Sequence, residues 1–382
     1  MHIALLYVDA GKGHITPARA LSDAFIRLGH TTVIENLFAT VGAPMINWIS
    51  KYNWRLQLHF PKMEAKVNAR NDSVVNAKRV RYVATHSHAI KDFQVWYKQA
   101  KPDVIVVPHF LAGSIIQPIV DFLHIQVPVF EYAADVVFTP NLGINKNLDR
   151  LYICTEIGKE LAIRAGQPEH TIRICPFPLK TEFMLTKPLS KAEARSKLGL
   201  MDCFTVLLNL GGEGIGTTDF LDEVVKRNLS WQVITVGELS ASTKLHYSIF
   251  KEKHPDFPLH TPGFVNNIQD YMCACDVQAG KAGANALMES LSLHRPFLIS
   301  SLLYAAWPTG IFFERRKVGW VENDVSKQVD ILQAYSENQE EQEAMQQAFK
   351  ELPLVFDSDA FAKQILSDAH EVMKTKFGLE LT

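Results

Sequence analysis

Residues 2–21, HIALLYVDAGKGHITPARAL, decide the fold class. A short apolar run ends at Asp9, and Gly11 and Gly13 then allow the backbone conformations of a tight turn. Thr16 is a residue type that caps helices, and the proline after it suits the first helical position. The stretch therefore predicts a strand, a glycine turn and a helix whose free amides can bind an anion.

The turn matches neither of the two common nucleotide motifs in full. The dinucleotide fingerprint lacks its third glycine because Thr16 occupies that position, although Glu35 stands about where a ribose-binding acid would. A Walker loop is excluded because no Gly-Lys-Ser/Thr follows. His14 distinguishes the loop, since an imidazole at its mouth can accept a proton near neutral pH. The alternative is that His14 only caps or packs the turn.

Two later stretches repeat the strand, glycine turn and helix pattern. They are residues 205–225, TVLLNLGGEGIGTTDFLDEVV, and residues 276–291, DVQAGKAGANALMESL. In the second, Lys281 and the helix start could hold a diphosphate, and Glu289 could accept hydrogen bonds from a ribose. The alternative is that the glycines pack the helix against the sheet and Glu289 is a surface acid.

Length and composition predict a two-domain α/β protein. The chain has 382 residues, of which 47% are hydrophobic, and this is enough for two cores. Apolar runs at 2–8, 31–37, 103–109 and 127–133 alternate with helical patterns, as in a parallel sheet covered on both faces. We expect an N-terminal domain over 1–185, a C-terminal domain over 186–355, and a C-terminal helix over 356–382 that packs back on the first domain.

Charge and cysteine content exclude several classes of function. A net charge of −2 argues against a protein that binds nucleic acid through bulk positive charge. The sequence contains no run of 18 apolar residues, which is the length needed to span a membrane. The five cysteines lack paired Cys-x-x-Cys spacing, so we expect neither a zinc site nor a disulfide framework. The predicted compartment is the reducing cytosol.

The ordered set of motifs resembles a known family. GKGH at 11–14, GGEGIG at 211–216 and GFVNNIQDYMCACDVQAGKAGANALMESL at 263–291 are similar to the GT-B glycosyltransferases related to monogalactosyldiacylglycerol synthase, processive diacylglycerol glucosyltransferase and the lipid II-forming N-acetylglucosaminyltransferase. The order and spacing agree over most of the chain. The resemblance implies an α/β GT-B fold, with two Rossmann-like domains facing a central cleft. It also implies inverting, metal-independent transfer of a sugar, without a cofactor, from a nucleotide donor, usually UDP, to a lipid hydroxyl such as that of diacylglycerol.

The same resemblance implies roles for individual residues. His14 is the first candidate for the catalytic base, and Asp135, which ends the YAAD stretch, is either a second candidate or an orienting group. The residues implied to bind the donor are Gly11, Gly13, Gly212, Glu213, Gly214, Phe264, Val265, Lys281, Ala282, Gly283, Ala284, Glu289, Tyr304 and Trp307. Phe264 and Val265 would lie at the uracil, and Glu289 at the ribose.

A basic segment bears on the acceptor. Residues 51–101 contain eleven Lys or Arg and three acids, with aromatic residues at or just before the start of the segment. Such a segment suits a helix lying on anionic lipid, which predicts a cytoplasmic protein peripheral to the inner membrane face. The residues assigned to the membrane or acceptor are Trp48, Trp54, Lys78, Arg79, Arg81 and His109. The alternative is a solvated basic face; nucleic acid is not expected because no binding module accompanies the segment.

One stretch departs from the family. Many relatives carry a Pro-Gly-Gln-Glu-like turn that meets the donor sugar, whereas residues 301–310 here are SLLYAAWPTG. Because Ala and Trp stand here in place of the amide and carboxylate side chains, we expect the donor to carry a more apolar or substituted sugar. This sugar would stack against Trp307 and Tyr304. The alternatives are a non-catalytic GT-B partner subunit, a nucleotide-sugar epimerase and a nicotinamide oxidoreductase.

Overall fold

The computed structural model describes residues 1–9, 13–48, 60–209, 217–237, 239–281, 283–302 and 304–379. The chain forms two compact units. Unit 1 comprises Met1–Met184, Leu303–Thr309 and Pro353–Thr382, and unit 2 comprises Leu185–Leu302 and Gly310–Leu352. The sequence predicts boundaries at 185 and 355; in the structure the residues from Pro353 onward belong to unit 1, and so does the short segment Leu303–Thr309.

Each unit contains a parallel sheet of six strands. The order is β2-β1-β3-β4-β5-β6 in unit 1 and β12-β11-β10-β7-β8-β9 in unit 2. The bounds in unit 1 are β1 His2–Tyr7, β2 Thr31–Asn36, β3 Val104–Val107, β4 Val129–Tyr132, β5 Arg150–Ile153 and β6 Ile172–Ile174. Those in unit 2 are β7 Thr205–Asn209, β8 Gln232–Val236, β9 Leu259–Gly263, β10 Val277–Lys281, β11 Phe297–Ser301 and β12 Gly319–Val321. The prediction of an α/β GT-B architecture is confirmed.

Within the described residues, β4 and β5 are joined by turns, and most of the strands are connected by helices. Their bounds are α1 Ile15–Arg27, α2 Leu37–Thr40, α3 Pro61–Asn71, α4 Val74–Thr85, α5 Ala89–Ala100, α6 Gln117–Phe122, α7 Glu156–Arg164, α8 Thr181–Leu185, α9 Lys191–Leu198, α10 Thr217–Lys226, α11 Ala241–Lys253, α12 Ile268–Ala274, α13 Ala284–Ser292, α14 Trp307–Arg316, α15 Val325–Glu337, α16 Gln339–Lys350 and α17 Ser358–Phe377. A π-helix spans Ala112–Ile116, and 3₁₀ turns span Glu169–Thr171 and Tyr304–Ala306. None of the described helices is long and apolar enough to cross a membrane.

The strand order places a switch point in each sheet. In unit 1 the chain passes from β1 to β2 on one side, and β3 then pairs with β1 on the other. In unit 2 the same reversal occurs between β7 and β10. Ligands of open α/β sheets bind outside the carboxyl ends of the strands at such points. A ligand site is therefore expected at the carboxyl ends of β1 and β3 in unit 1 and of β7 and β10 in unit 2.

The C-terminal helix α17 is part of the core of unit 1. Asp357 caps it by accepting a hydrogen bond from the backbone N–H of Ala360. Phe361 is fully buried, and its ring packs edge-on against Tyr132 and Tyr152 at centroid distances of 5.3 and 5.1 Å. Burying an aromatic side chain of this size stabilises the fold by about 2–3 kcal/mol. Residues far apart in the sequence thus form one core.

Candidate functional site

His14 lies at the switch point of unit 1, immediately before α1. Its Nδ1 is 2.9 Å from the carbonyl oxygen of Pro108, which directly follows β3. Because a carbonyl oxygen only accepts, Nδ1 carries the proton and Nε2 is left as a proton acceptor. Burial lowers the pKa of His14 to about 4, although the bond to Pro108 opposes this effect. The imidazole is therefore neutral at pH 7, which is the form a general base requires.

His109 packs against His14. The two rings meet edge-on with centroids 4.4 Å apart. His109 is 6% exposed, and its Nδ1 accepts a hydrogen bond from the N–H of Leu111, so its proton resides on Nε2. Burial, and then the charge of His14, lower the pKa of His109 well below its ordinary value. Because it is buried, His109 does not lie on a membrane-facing surface, which corrects that part of its assignment.

Asp135 and Glu64 form a second titratable group in unit 1. Burial raises the pKa of Asp135 to about 6, and the negative charge of Glu64 adds to this effect. Glu64 is 6% exposed and accepts hydrogen bonds from Asn68 Nδ2 at 2.6 Å and from the N–H of Tyr304 at 2.9 Å. Sequence reasoning missed Glu64, although an isolated acid within a basic segment was a usable signal. Asp135 is thus a carboxyl group with a pKa near neutrality.

Tyr304 is engaged within unit 1. Its hydroxyl donates to Asp72 Oδ2 at 2.8 Å, and its ring packs edge-on against Phe138 at 5.8 Å. Burial and the Asp72 carboxylate raise the pKa of Tyr304 above its ordinary value. The sequence did not indicate these partners for a residue expected to stack on the donor sugar. Trp307, by contrast, is 60% exposed.

Glu35, the acid that a dinucleotide site would use, also has a structural partner. Trp96 donates to Glu35 through its indole N–H, with a donor–acceptor distance of 2.5 Å. This bond connects β2 with α5 in the core of unit 1. A ribose-binding role for Glu35 is therefore not favoured by its surroundings.

In unit 2 the N-terminus of α13 follows closely on the end of β10. A Cβ at Gly280 would lie 2.5 Å from the carbonyl oxygen of Asn209, so glycine is needed where β10 approaches β7. A Cβ at Gly283 would meet no atom within 4 Å, which leaves open space before the start of α13. Lys281 ends β10 beside this turn. Helix amides and an adjacent lysine suit a diphosphate.

A pocket of about 660 Å³ lies beside the ends of β8 and β9 in unit 2. Phe264, which is 61% exposed, contributes its ring, and α11 contributes Lys244 and Lys251. Lys251 Nζ donates to Thr261 Oγ1 at 3.1 Å. None of the described residues that line the pocket is acidic. Its size and its positive, partly aromatic lining fit a nucleotide. Sequence reasoning missed the two lysines, although their seven-residue spacing puts them on one helix face.

The other residues assigned to the donor site differ in their burial. Glu289 is 5% exposed on α13, and Val265 and Ala284 are partly buried. Gly13 is partly buried in the turn before His14. Several assigned residues lie outside the described part of the chain: Gly11, Trp54, Gly212, Glu213, Gly214 and Ala282.

The basic segment exposes apolar as well as cationic side chains. Among the described residues of this region, eight large apolar residues are half exposed or more: Phe60, Met63, Val67, Val74, Val75, Tyr82, Val83 and Val95. Lys78 and Arg79 are exposed on α4, and Trp48 is 66% exposed. Arg81 differs from them because it is partly buried and its guanidinium donates to the backbone carbonyl of Ile144. Of the three cationic residues assigned to the membrane or acceptor, two are therefore exposed.

Comparisons with known proteins find similar sequences and similar folds. No family model matches the chain. Monogalactosyldiacylglycerol synthase 3 of Arabidopsis thaliana is 23% identical over 316 residues, covering 79% of this chain and 66% of that protein, so the match spans just under two thirds of the plant enzyme. Processive diacylglycerol β-glucosyltransferase of Bacillus subtilis is 21% identical over 393 residues, covering 98% of this chain and 97% of that one.

Solved structures share the fold. A glycosyltransferase of kitacinnamycin matches with a TM-score of 0.62 and 13% identity, covering 96% of this chain and 99% of that one. HepE of Anabaena in complex with UDP matches with a TM-score of 0.54 and 13% identity, covering 99% of this chain and 100% of that one. Together with the two six-stranded sheets, these matches define the class as GT-B.

Sequence similarity then indicates which proteins of this fold class are related to the chain. The chain has the GT-B fold, and its sequence is similar to those of the monogalactosyldiacylglycerol synthases and the processive diacylglycerol β-glucosyltransferases. The relationship predicted from the ordered motifs is confirmed.

Proposed function

We propose that this protein transfers a sugar from a UDP-sugar to the hydroxyl of a lipid acceptor such as diacylglycerol, with inversion and without a metal ion. The observation that carries the proposal is the neutral His14, whose Nε2 is an acceptor at the switch point of unit 1. The choice of acceptor is supported by a relative that is named as a diacylglycerol glucosyltransferase. The choice of donor is supported by a protein of similar fold whose structure was solved in complex with UDP.

In the proposed reaction the acceptor oxygen attacks the anomeric carbon as the bond from that carbon to the diphosphate breaks. The hydroxyl proton moves to His14 Nε2, and UDP leaves with the electron pair of the broken bond. A base with a pKa of about 4 is weak, so proton transfer is expected late, when the attacking oxygen has become acidic. Asp135, whose pKa is about 6, is the second candidate for the base.

Unit 2 would stabilise the leaving diphosphate. The N-terminal end of the helix dipole of α13 and the ammonium of Lys281 would supply positive charge without a metal ion. Each well-placed donor of this kind contributes about 3 kcal/mol to transition-state stabilisation. The pocket with Phe264, Lys244 and Lys251 would receive the base of the nucleotide.

The exposed apolar residues of α3 and α4 would dock on an anionic membrane. Apolar side chains enter the interface while Lys78 and Arg79 meet lipid phosphates, each contributing about 1 kcal/mol. We further propose that the protein acts at the cytoplasmic face of the membrane, where its lipid acceptor would reside. For the donor we propose an apolar or substituted sugar, because Trp307 is exposed where relatives carry polar groups.

Donor profiling tests the proposal. The protein is incubated with diacylglycerol-containing vesicles and a panel of UDP-sugars, and the lipid products are analysed by mass spectrometry. Transfer from a substituted donor supports the proposal, and activity confined to unsubstituted hexoses refutes the choice of donor. A rise in melting temperature with UDP but no turnover with any donor and lipid pair would instead indicate a non-catalytic subunit.

A further inference from the structure

Glu131 is a fully buried acid in the middle of the sheet of unit 1. It lies on β4, where it pairs with Val107 of β3 on one side and Leu151 of β5 on the other. No cation forms an ion pair with it among the described residues. Burial raises the pKa of Glu131 to about 8. Burying an acid here costs stability that an apolar residue would not, so its contacts need an explanation.

The carboxyl group of Glu131 holds two segments. Its Oε2 accepts a hydrogen bond from the N–H of Gly113 at 3.2 Å, within the π-helix Ala112–Ile116. Its Oε1 accepts from Thr139 Oγ1 at 2.7 Å. The carbonyl of Gly113 is also bound, because Asn145 Nδ2 donates to it at 2.7 Å. Both polar groups of Gly113 are thus held by side chains outside the helix.

Two glycines make this arrangement possible. A Cβ at Gly113 would lie 2.0 Å from the carbonyl oxygen of Gly143, and a Cβ at Gly143 would lie 2.6 Å from Glu131 Oε1. The π-helix therefore packs directly against the backbone of residues 139–145. A π-helical turn is an uncommon element that is often found at functional positions.

The π-helix begins directly after the turn that carries His109. The N–H of Ala112 donates to the carbonyl of His109 at 3.1 Å, and the N–H of Leu111 donates to its Nδ1. His109 in turn packs against His14. We propose that Glu131 is a positioning residue for the His14–His109 pair, which it aligns by fixing Gly113 and hence the turn that carries His109.

This inference rests on the proposed function only for its catalytic consequence, so the first test does not require activity. The imidazoles are labelled with ¹⁵N and the titration of His14 is followed by NMR in the wild type, Glu131→Gln and Glu131→Leu. Glutamine can accept from Gly113 and donate to Thr139, so its His14 titration should match the wild type. Leucine cannot, so the titration of His14 should move up from about 4 toward 6.5 as packing around the ring loosens.

Asp368→Asn is the matched control. Asp368 is another buried acid of unit 1, bonded to Tyr152 and Arg150, and the structure gives it no contact with either histidine. Its replacement should lower the melting temperature without moving the His14 titration. A folded Glu131→Leu protein whose His14 titrates as in the wild type overturns the proposal. If that variant does not fold, Thr139→Val decides, since it must shift the titration in the same direction.

The second test measures kinetics. With an active donor and acceptor pair, Glu131→Leu should lower kcat about tenfold with little change in KM for the donor, and Glu131→Gln should restore it. A rise in KM alone would contradict positioning of the base. If the titration shifts but no variant or wild type transfers sugar, the proposed function fails while the positioning role stands.

Discussion

The low pKa of His14 makes the stability of unit 1 depend on pH in a calculable way. In the folded protein the pKa is about 4, compared with 6.5 in an unfolded chain. Between these values the unfolded state binds a proton that the folded state does not, so stability rises with pH and is lost as pH falls from 6.5 toward 4. The full difference is about 3 kcal/mol, and about 2 kcal/mol of it is lost by pH 5.

The perturbation is His14→Gln, which removes the titrating group while an amide can still donate to Pro108. The free energy of unfolding is measured by urea denaturation at pH 7 and pH 5, taking the transition of unit 1. We expect the wild type to lose about 2 kcal/mol more than the variant over this interval. Glu131 and Asp135 titrate with the opposite sign, but they are present in both proteins and cancel in the difference.

His88→Gln provides the control, because His88 is an exposed histidine of the same unit. It should show the same pH dependence as the wild type. If the wild type and His14→Gln lose stability in parallel between pH 7 and pH 5, His14 is not buried in the neutral form. The tautomer assigned from its bond to Pro108 would then give no support to its role as a base.

Further measurements address catalysis and binding. Replacing His14 with Ala should lower turnover roughly 10²-fold or more in initial-rate assays while leaving the Kd for UDP nearly unchanged, and undiminished turnover would remove it from the mechanism. Glu289→Gln should weaken UDP binding by about 1–3 kcal/mol in calorimetry through loss of charge-assisted hydrogen bonds, and equal affinity would show that it does not hold the ribose. Exchanging both Lys78 and Arg79 for Gln should weaken sedimentation with anionic vesicles by about 1 kcal/mol per charge, whereas binding indifferent to these charges and to salt would leave a solvated face. Trp307→Ala should reduce transfer from a substituted donor more than from a simple hexose, and an equal loss with both donors would argue against stacking on the substituent.

The sequence by itself determined the repeated strand, turn and helix units. The runs predicted as strands at 2–8, 31–37, 103–109 and 127–133 contain β1 to β4, because continuous apolar runs bounded by turn residues mark buried parallel strands. Short strands were missed in both units: β5, β6, β9 and β12 have three to five residues. These strands lack a long continuous apolar run: β5 begins with Arg150, β9 contains Pro262, and β6 and β12 have only three residues.

The sequence also identified His14, because a histidine beside two glycines and a helix start is a local pattern. Its partners are not local. Pro108 and His109 reach it only because β3 pairs with β1, and Glu64 lies near Asp135 only after α3 has packed. The sequence also could not predict the pKa values of these groups, because burial is the largest cause of the pKa shifts at His14, Asp135 and Glu131. Local patterns specify which side chains can do chemistry, whereas desolvation and long-range strand pairing, which exist only in the folded protein, decide their protonation and their neighbours.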